Sequence, residues 1–246
     1  MSETTGTLRH AGNDLAWAHL PGRGPTIVFL PGFKSDMEGS KATHLRDWAA
    51  GQGRAMLRLD YSGHGKSTGA FEAGTIGNWT ADARAVIEAR APGPLLLVGS
   101  SMGGWIALLL ARAMPDRVTA LVGLAAAPDF TQPFLASLSA QERATLDAQG
   151  HIDRPSLYGD PYRFTRALLM DGAAQSLLHA PIPVRCPVRL LQGQEDPDVP
   201  WQTALRTAER LESTDVETIL VKDGDHRLSR PGDLALLTRV VEALLF

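Results

Sequence analysis

The chain has 246 residues, 24 Lys and Arg against 27 Asp and Glu, and 44% hydrophobic side chains, a balance that excludes intrinsic disorder, collagen and coiled coil. At this length one core buries roughly 70–75% of the unfolded chain's surface, so a single domain over residues 1–246 needs no disulfide or metal to hold it. A formal net charge of −3 offers no basic field for nucleic acid or anionic lipid, and the single cysteine, Cys186, excludes an intrachain disulfide and Cys-rich zinc sites.

The polar, acidic start Met1-Ser2-Glu3-Thr4-Thr5-Gly6 has neither the basic and apolar regions of a secretory signal nor a transit peptide's Arg-rich pattern, which predicts cytoplasmic residence. Thr7–Leu20, interrupted by Gly12-Asn13-Asp14, reads as a hairpin adding antiparallel edge strands. Beyond it, short β-branched runs predict buried strands at Thr26–Leu30, Ala55–Leu59, Leu95–Val98, Val118–Leu124, Val188–Leu191 and Val216–Val221. Helix-period segments fall between and after them, at Lys41–Ala50, Ile76–Ala91, Met102–Met114, Trp201–Leu211 and Leu234–Leu245. This alternation predicts an α/β fold with a mostly parallel sheet and helices on both faces. The longest apolar run, Trp105–Ala111, is far short of the ~20 residues that span a bilayer.

One segment breaks the rhythm. Residues 128–187 are interrupted by prolines, show no core strand, and carry Phe130, Phe134, Leu138, Tyr158, Tyr162, Phe164, Leu168 and Leu177. So many large apolar groups predict a small helical cap folded over the sheet, with a pocket for an acyl or aromatic group. Trp105 and Trp201 are weaker wall candidates, and core packing is the better reading of both.

The sequence Val98-Gly99-Ser100-Ser101-Met102-Gly103-Gly104 places Gly-x-Ser-x-Gly between a strand and a helix. In that context the central serine, Ser101 and not Ser100, sits on a strained turn as a nucleophile, and the two glycines remove Cβ atoms where strand and helix pass closest. A serine hydroxyl needs a base, and the base needs an orienting acid. His226 is the only histidine after the last strand, whereas His10, His19, His44, His64, His151 and His179 have surface, turn or cap contexts. For the acid, Asp196 ranks first as nearest the end of its strand. Asp198, two residues on, and Asp129, after the fourth of the six runs, are the alternatives, while Asp225 is better placed to order the His226 loop. The two oxyanion donors fall to the amides of Met102 and, through the turn that Gly32 permits, Phe33.

Gly65-Lys66-Ser67 resembles the end of a phosphate loop, but Asp60 stands where that pattern needs glycine. Nucleotide binding is therefore rejected, and the Asp60–Gly65 stretch is read as a tight loop ending a strand. The chemistry requires no cofactor and no metal.

Assembled in this order, from Leu30-Pro31-Gly32-Phe33 through the Ser101 motif and Leu178–Pro187 to Asp196–Trp201 and Asp225-His226-Arg227, the motifs resemble the α/β-hydrolase superfamily from about Thr26 to the end. Within it the chain looks most like the palmitoyl-protein thioesterase and acyl-glucuronide esterase subfamily and its bacterial relatives. The resemblance implies an eight-stranded sheet, the same Ser101, Asp196, His226, Phe33 and Met102, and small-molecule or acylated-protein substrates cleaved at thioesters or activated esters. The competing readings are a general carboxylesterase or small-amide hydrolase with the same three residues, and a non-catalytic binding protein on the hydrolase scaffold.

Overall fold

The computed structural model describes residues 2–156 and 159–245. β1 (Thr4–His10) and β2 (Asn13–Leu20) form the N-terminal hairpin, turned by Ala11 and Gly12 with φ of 45° and 84°. Positive φ at both turn residues matches the twist of the flanking strands. Then follow β3 (Arg23–Leu30), α1 (Ser40–Gln52), β4 (Arg54–Leu59), α2 (Ile76–Arg90), β5 (Leu95–Ser100), α3 (Met102–Ala113) and β6 (Val118–Leu124). After the 128–187 insertion come β9 (Val188–Gly193), α7 (Gln202–Arg210), β10 (Val216–Val221) and α8 (Pro231–Ala243).

These strands form one eight-stranded sheet in the order β1-β2-β4-β3-β5-β6-β9-β10, in which only β2 runs antiparallel to its neighbours. Every predicted run is a strand. The near-continuous hydrophobicity is explained by two cores on opposite faces, because successive side chains point to opposite sides. Val28, Leu30, Leu95 and Leu97 pack with Trp79 of α2 and Trp105 of α3. Ile27, Phe29, Leu96 and Val98 pack with Leu45 of α1 and Leu237 of α8. α8 begins three residues before the predicted Leu234, because Pro231 suits the first turn and Asp233 accepts from the Arg230 amide at 3.0 Å.

The insertion differs from its prediction. It carries α4 (Thr131–Ser137), α5 (Ala140–Gln149) and α6 (Arg166–Ala174), but between the last two lies an antiparallel hairpin, β7 (His151–Ser156) and β8 (Gly159–Thr165). Its sequence alternates with period two: Ile152 pairs with the apolar Phe164, and the intervening Asp153 accepts from Arg163 at 2.8 and 2.9 Å. Tyr158 lies outside the described residues.

The loop after β4 is also more buried than a surface turn. Asp60 accepts from the amides of Met37 and Lys66 at 2.7 and 2.8 Å, and a Cβ on Gly65 would fall 2.2 Å from its carboxylate. The Asp60 carboxylate thus takes the Lys66 amide that a phosphate loop would offer its ligand. His64 is buried against Tyr61, Phe71 and Trp79. Burial pulls its pKa from 6.5 down to about 4, the Ser62 carbonyl opposing only in part. The unfolded chain protonates near 6.5 and the native imidazole only near 4, so the stability this neutral imidazole contributes is full above pH 6.5 and declines as pH falls through that window. The slope is at most about 1.4 kcal/mol per pH unit. His64→Gln is expected to flatten this part of the acid destabilisation in urea unfolding between pH 7 and pH 5; an unchanged difference between the two pH values would contradict the burial argument.

Candidate active site

Ser101 lies between β5 and α3 with φ 53° and ψ −119°, a strained conformation for a side-chain-bearing residue. Backbone bonds fix it: its N–H donates to the Leu124 carbonyl at 2.8 Å, and its carbonyl accepts from Gly104 at 2.9 Å and Ala127 at 3.1 Å. The flanking glycines are obligatory on space alone. A Cβ on Gly99 would sit 2.2 Å from the Gly103 carbonyl oxygen, and one on Gly103 would sit 2.0 Å from that of Leu30. Ser100 is buried as the last residue of its strand, whereas Ser101 is half-exposed.

The loops after β9 and β10 meet at this point. Gly193 passes so near Gly224 that a Cβ would lie 2.2 Å from the Gly224 oxygen, and the Gln194 and Glu195 amides donate to the Val221 and Gly224 carbonyls, both at 2.9 Å. This brings His226 Nδ1 to 2.8 Å from Asp196 Oδ2 and His226 Nε2 to 3.1 Å from Ser101 Oγ. With Nδ1–H donating to the carboxylate, Nε2 is left to accept the serine hydroxyl proton.

The Asp196 side chain is fully buried and saturated with donors. Oδ2 also accepts from Gln192 Nε2 at 2.9 Å, and Oδ1 accepts from the Asp198 and Val199 amides at 2.8 Å each. Burial pushes its pKa up, but the His226 bond and charge and the two amides outweigh it and hold the carboxyl below its ordinary value. Gln192 went unassigned in the sequence although it ends the strand leading to Asp196; it is buried and also donates to the Val199 carbonyl at 3.2 Å, bracing the loop.

The alternatives are placed elsewhere. The Asp129 carboxylate accepts from Ser176 Oγ and from the Leu177 and Leu178 amides at 2.7–2.8 Å, tying the end of the insertion to the loop after β6. Asp198 is exposed and contributes its amide to Asp196. Asp225 accepts from the Leu228 amide at 2.9 Å and so orders the His226 loop. Ligand atoms of Asp196, Asp198 and His226 lie within 4.8 Å of one another, but the Asp196 oxygens are already committed to four donors. Burial pushes the Cys186 thiol up to about 11, which fits an inert packing residue.

Gly32 abuts Ser101, since its absent Cβ would be 3.3 Å from that of Ser101. The Ser35 amide donates to the Gly32 carbonyl at 3.1 Å and Lys34 takes φ 53°, closing a turn that carries the Phe33 N–H. Met102 is the first residue of α3, where backbone N–H groups have no partner within the helix.

The expected apolar pocket is not what opens beside Ser101. The insertion's aromatic residues close around Phe33: Phe164 stacks on it at 5.4 Å, with Tyr162 at 5.7 Å and Phe130 at 6.1 Å. Trp105 is core, its Nε1–H donating to the Gln175 carbonyl at 3.2 Å. The cleft that reaches Ser101 and His226, of about 550 Å³, is mixed, lined by Phe29, Pro31 and Phe33 and by polar groups including Asp36, Lys41 and Arg227.

The α/β sheet, the serine turn after β5 and the loops after β9 and β10 define a hydrolase, and the chain belongs to the alpha/beta hydrolase family, whose profile matches residues 27–235. Among characterised relatives it is 40% identical over 234 residues to the Bos taurus palmitoyl-protein thioesterase ABHD10, mitochondrial, covering 94% of this chain and 76% of that protein. The Homo sapiens protein of the same name is 39% identical over the same span. Among solved structures, a putative hydrolase from Agrobacterium vitis superposes with a TM-score of 0.94 at 41% identity, covering 100% and 99% of the two chains. Alpha/beta hydrolase domain-containing protein 10 from mouse superposes with a TM-score of 0.91 at 38% identity, covering 98% of each. The relatives' mitochondrial names lend no support to the cytoplasmic expectation. No helix among the described residues is long and apolar enough to cross a membrane.

Asp196→Asn is expected to lower kcat by about 10⁴, as loss of the orienting carboxylate does in other serine hydrolases. Asp198→Asn, which keeps the amide, should change it less than about twofold; steady-state kinetics showing the reverse order would move the acid to Asp198.

Proposed function

We propose that the chain hydrolyses acyl thioesters and esters through an acyl-enzyme on Ser101. The observation that carries this reading is the unbroken contact from Ser101 Oγ to His226 Nε2, 3.1 Å, and from His226 Nδ1 to Asp196 Oδ2, 2.8 Å. Ser101 Oγ attacks the acyl carbonyl as His226 Nε2 takes its proton, and the buried Asp196 anion stabilises the imidazolium without taking the proton itself. The Phe33 and Met102 amides receive the oxyanion; each such donor contributes roughly 3 kcal/mol. Collapse expels the thiol or alcohol with the proton from Nε2, and water then repeats the sequence to release the acid.

The substrate class draws on the relatives named palmitoyl-protein thioesterase, and the segment 128–187 acts in this reading as a cap that holds Phe33, and so its amide, against the site. Fluorophosphonate treatment followed by intact-mass measurement is expected to add one adduct that Ser101→Ala abolishes. The same variant, or His226→Ala, should cost on the order of 10⁶ in kcat. Absence of an adduct, or its survival in Ser101→Ala, would favour the non-catalytic binding protein.

A further inference from the structure

Gln192, the penultimate residue of β9, is fully buried, and its side chain reaches the loop that carries Asp196. Three oxygens surround its amide nitrogen: Asp196 Oδ2 at 2.9 Å and the Gly193 and Val199 carbonyls at 3.2 Å each. Acceptors on that side fix which end of the amide is the NH2 group, and the shortest of the three bonds goes to the carboxylate. The other end is left over. Gln192 Oε1 is buried with no hydrogen-bond partner among the described residues. An unpaired buried acceptor destabilises a fold, so on stability alone a methionine of similar length would suit this position better. What the amide supplies that methionine lacks is a donor to the acid.

A carboxylate offers about four lone-pair positions. Asp196 fills them all, with the Asp198 and Val199 amides on Oδ1 and Gln192 Nε2 and His226 Nδ1 on Oδ2. Oδ2 is therefore shared between Gln192 and the imidazole, and the Gln192 bond leaves it one direction in which to receive Nδ1–H. The two amides on Oδ1 belong to the same loop as Asp196 and move with it. Gln192 comes from the sheet, so its bond ties the carboxylate to the scaffold. Its N–H dipole also sets its positive end beside the oxygen that faces the ring, which disfavours the protonated imidazole.

We propose that Gln192 is a positioning residue of the hydrolytic site, its Nε2–H fixing Asp196 Oδ2 so that His226 presents Nε2 to Ser101. The inference rests on the reading of Ser101, His226 and Asp196 as nucleophile, base and acid. Gln192 lines no part of the cleft beside Ser101, so its loss should act on turnover and not on substrate binding.

Gln192→Met removes the donor without altering any charge. It leaves in place Asp196, Asp198, Asp225, Arg227 and Lys41, the charged groups on and against the two loops that meet at His226. With p-nitrophenyl octanoate as probe, kcat is expected to fall about tenfold, the worth of one hydrogen bond to a charged group, while KM changes less than about twofold. In protein carrying isotope-labelled histidine, the NMR signal of His226 is identified by its loss in His226→Ala. Its titration midpoint should move upward in Gln192→Met by about half a pH unit or more, because the imidazolium no longer faces the amide dipole. Gln192→Asn, whose amide is one methylene short of Oδ2, should move the midpoint the same way and serves if Gln192→Met fails to fold. Leu190→Ala, at a buried position two residues earlier on the same strand, should lower the Tm and leave the midpoint in place. An unchanged or lowered midpoint in the Gln192 variants, or an equal rise in Leu190→Ala, would overturn the proposal. The midpoint is read without turnover, whereas absence of a fluorophosphonate adduct on the unaltered protein would refute the hydrolase reading, so the two failures are separable.

Discussion

The strained backbone of Ser101 is the constraint around which the molecule is arranged. Holding a non-glycine residue at φ 53° and ψ −119° costs about 1–3 kcal/mol, and the conformation persists only because its surroundings over-determine it. Three strands contribute. β5 delivers the residue, β6 supplies the Leu124 carbonyl that receives its N–H, and β3 runs so near α3 that only glycine fits at position 103. The turn leaves the hydroxyl at the carboxyl edge of the sheet, where the loops after β3, β9 and β10 also emerge. Residues separated by 125 positions thereby meet without a dedicated linker between them.

What could be read in the sequence follows from this geometry. The parallel strands were legible because burial on both faces leaves no polar alternation, and the serine turn because glycine, serine and glycine occupy positions that sterics restrict one by one. His226 followed from chain order alone. Asp196 could be ranked but not separated from Asp198, because both lie on one loop and only the fold decides which carboxylate turns inward. Gln192 carried no signal, since a glutamine ending a strand looks like any polar residue until its amide is seen bridging Asp196 and Val199. The hairpin of β7 and β8 escaped detection because its period-two run is short and sits among prolines. The emptiness or fullness of the space under the insertion is likewise a property of packing. Composition counts aromatic rings, but whether they line a cavity or close on Phe33 depends on contacts across separate elements.

The site is therefore two-sided. On one side, aromatic residues of the insertion press on the turn that carries the Phe33 amide. Phe71 and Trp79 complete that packing from the scaffold side, with ring centroids at 4.9 and 5.9 Å from Phe33. On the other side, the same turn exposes Lys34 toward a mixed cleft whose far wall is the loop carrying His226. Lys41 joins α1 to that loop through the carbonyl of the residue after His226, so the placement of His226 and the charge of the cleft share one side chain.

Lys66 and Lys41 show why charge must be read with its partners. Gly65-Lys66-Ser67 has the residue types of an anion-binding loop, yet its Lys66 amide donates to the carboxylate of Asp60, an anion that the chain itself supplies, and its Ser67 hydroxyl to the Asp60 main-chain carbonyl. Lys66 reaches outward to Glu38 at 3.3 Å and is neutralised there. Lys41 belongs to no such pattern, and its ammonium is met by a carbonyl and a hydroxyl, which orient a cation without cancelling it. A site whose counter-charge is internal is finished when the chain folds, whereas one held only by neutral acceptors keeps its field for whatever enters the cleft. In this protein the second kind stands in the cleft beside Ser101, and the first belongs to the scaffold.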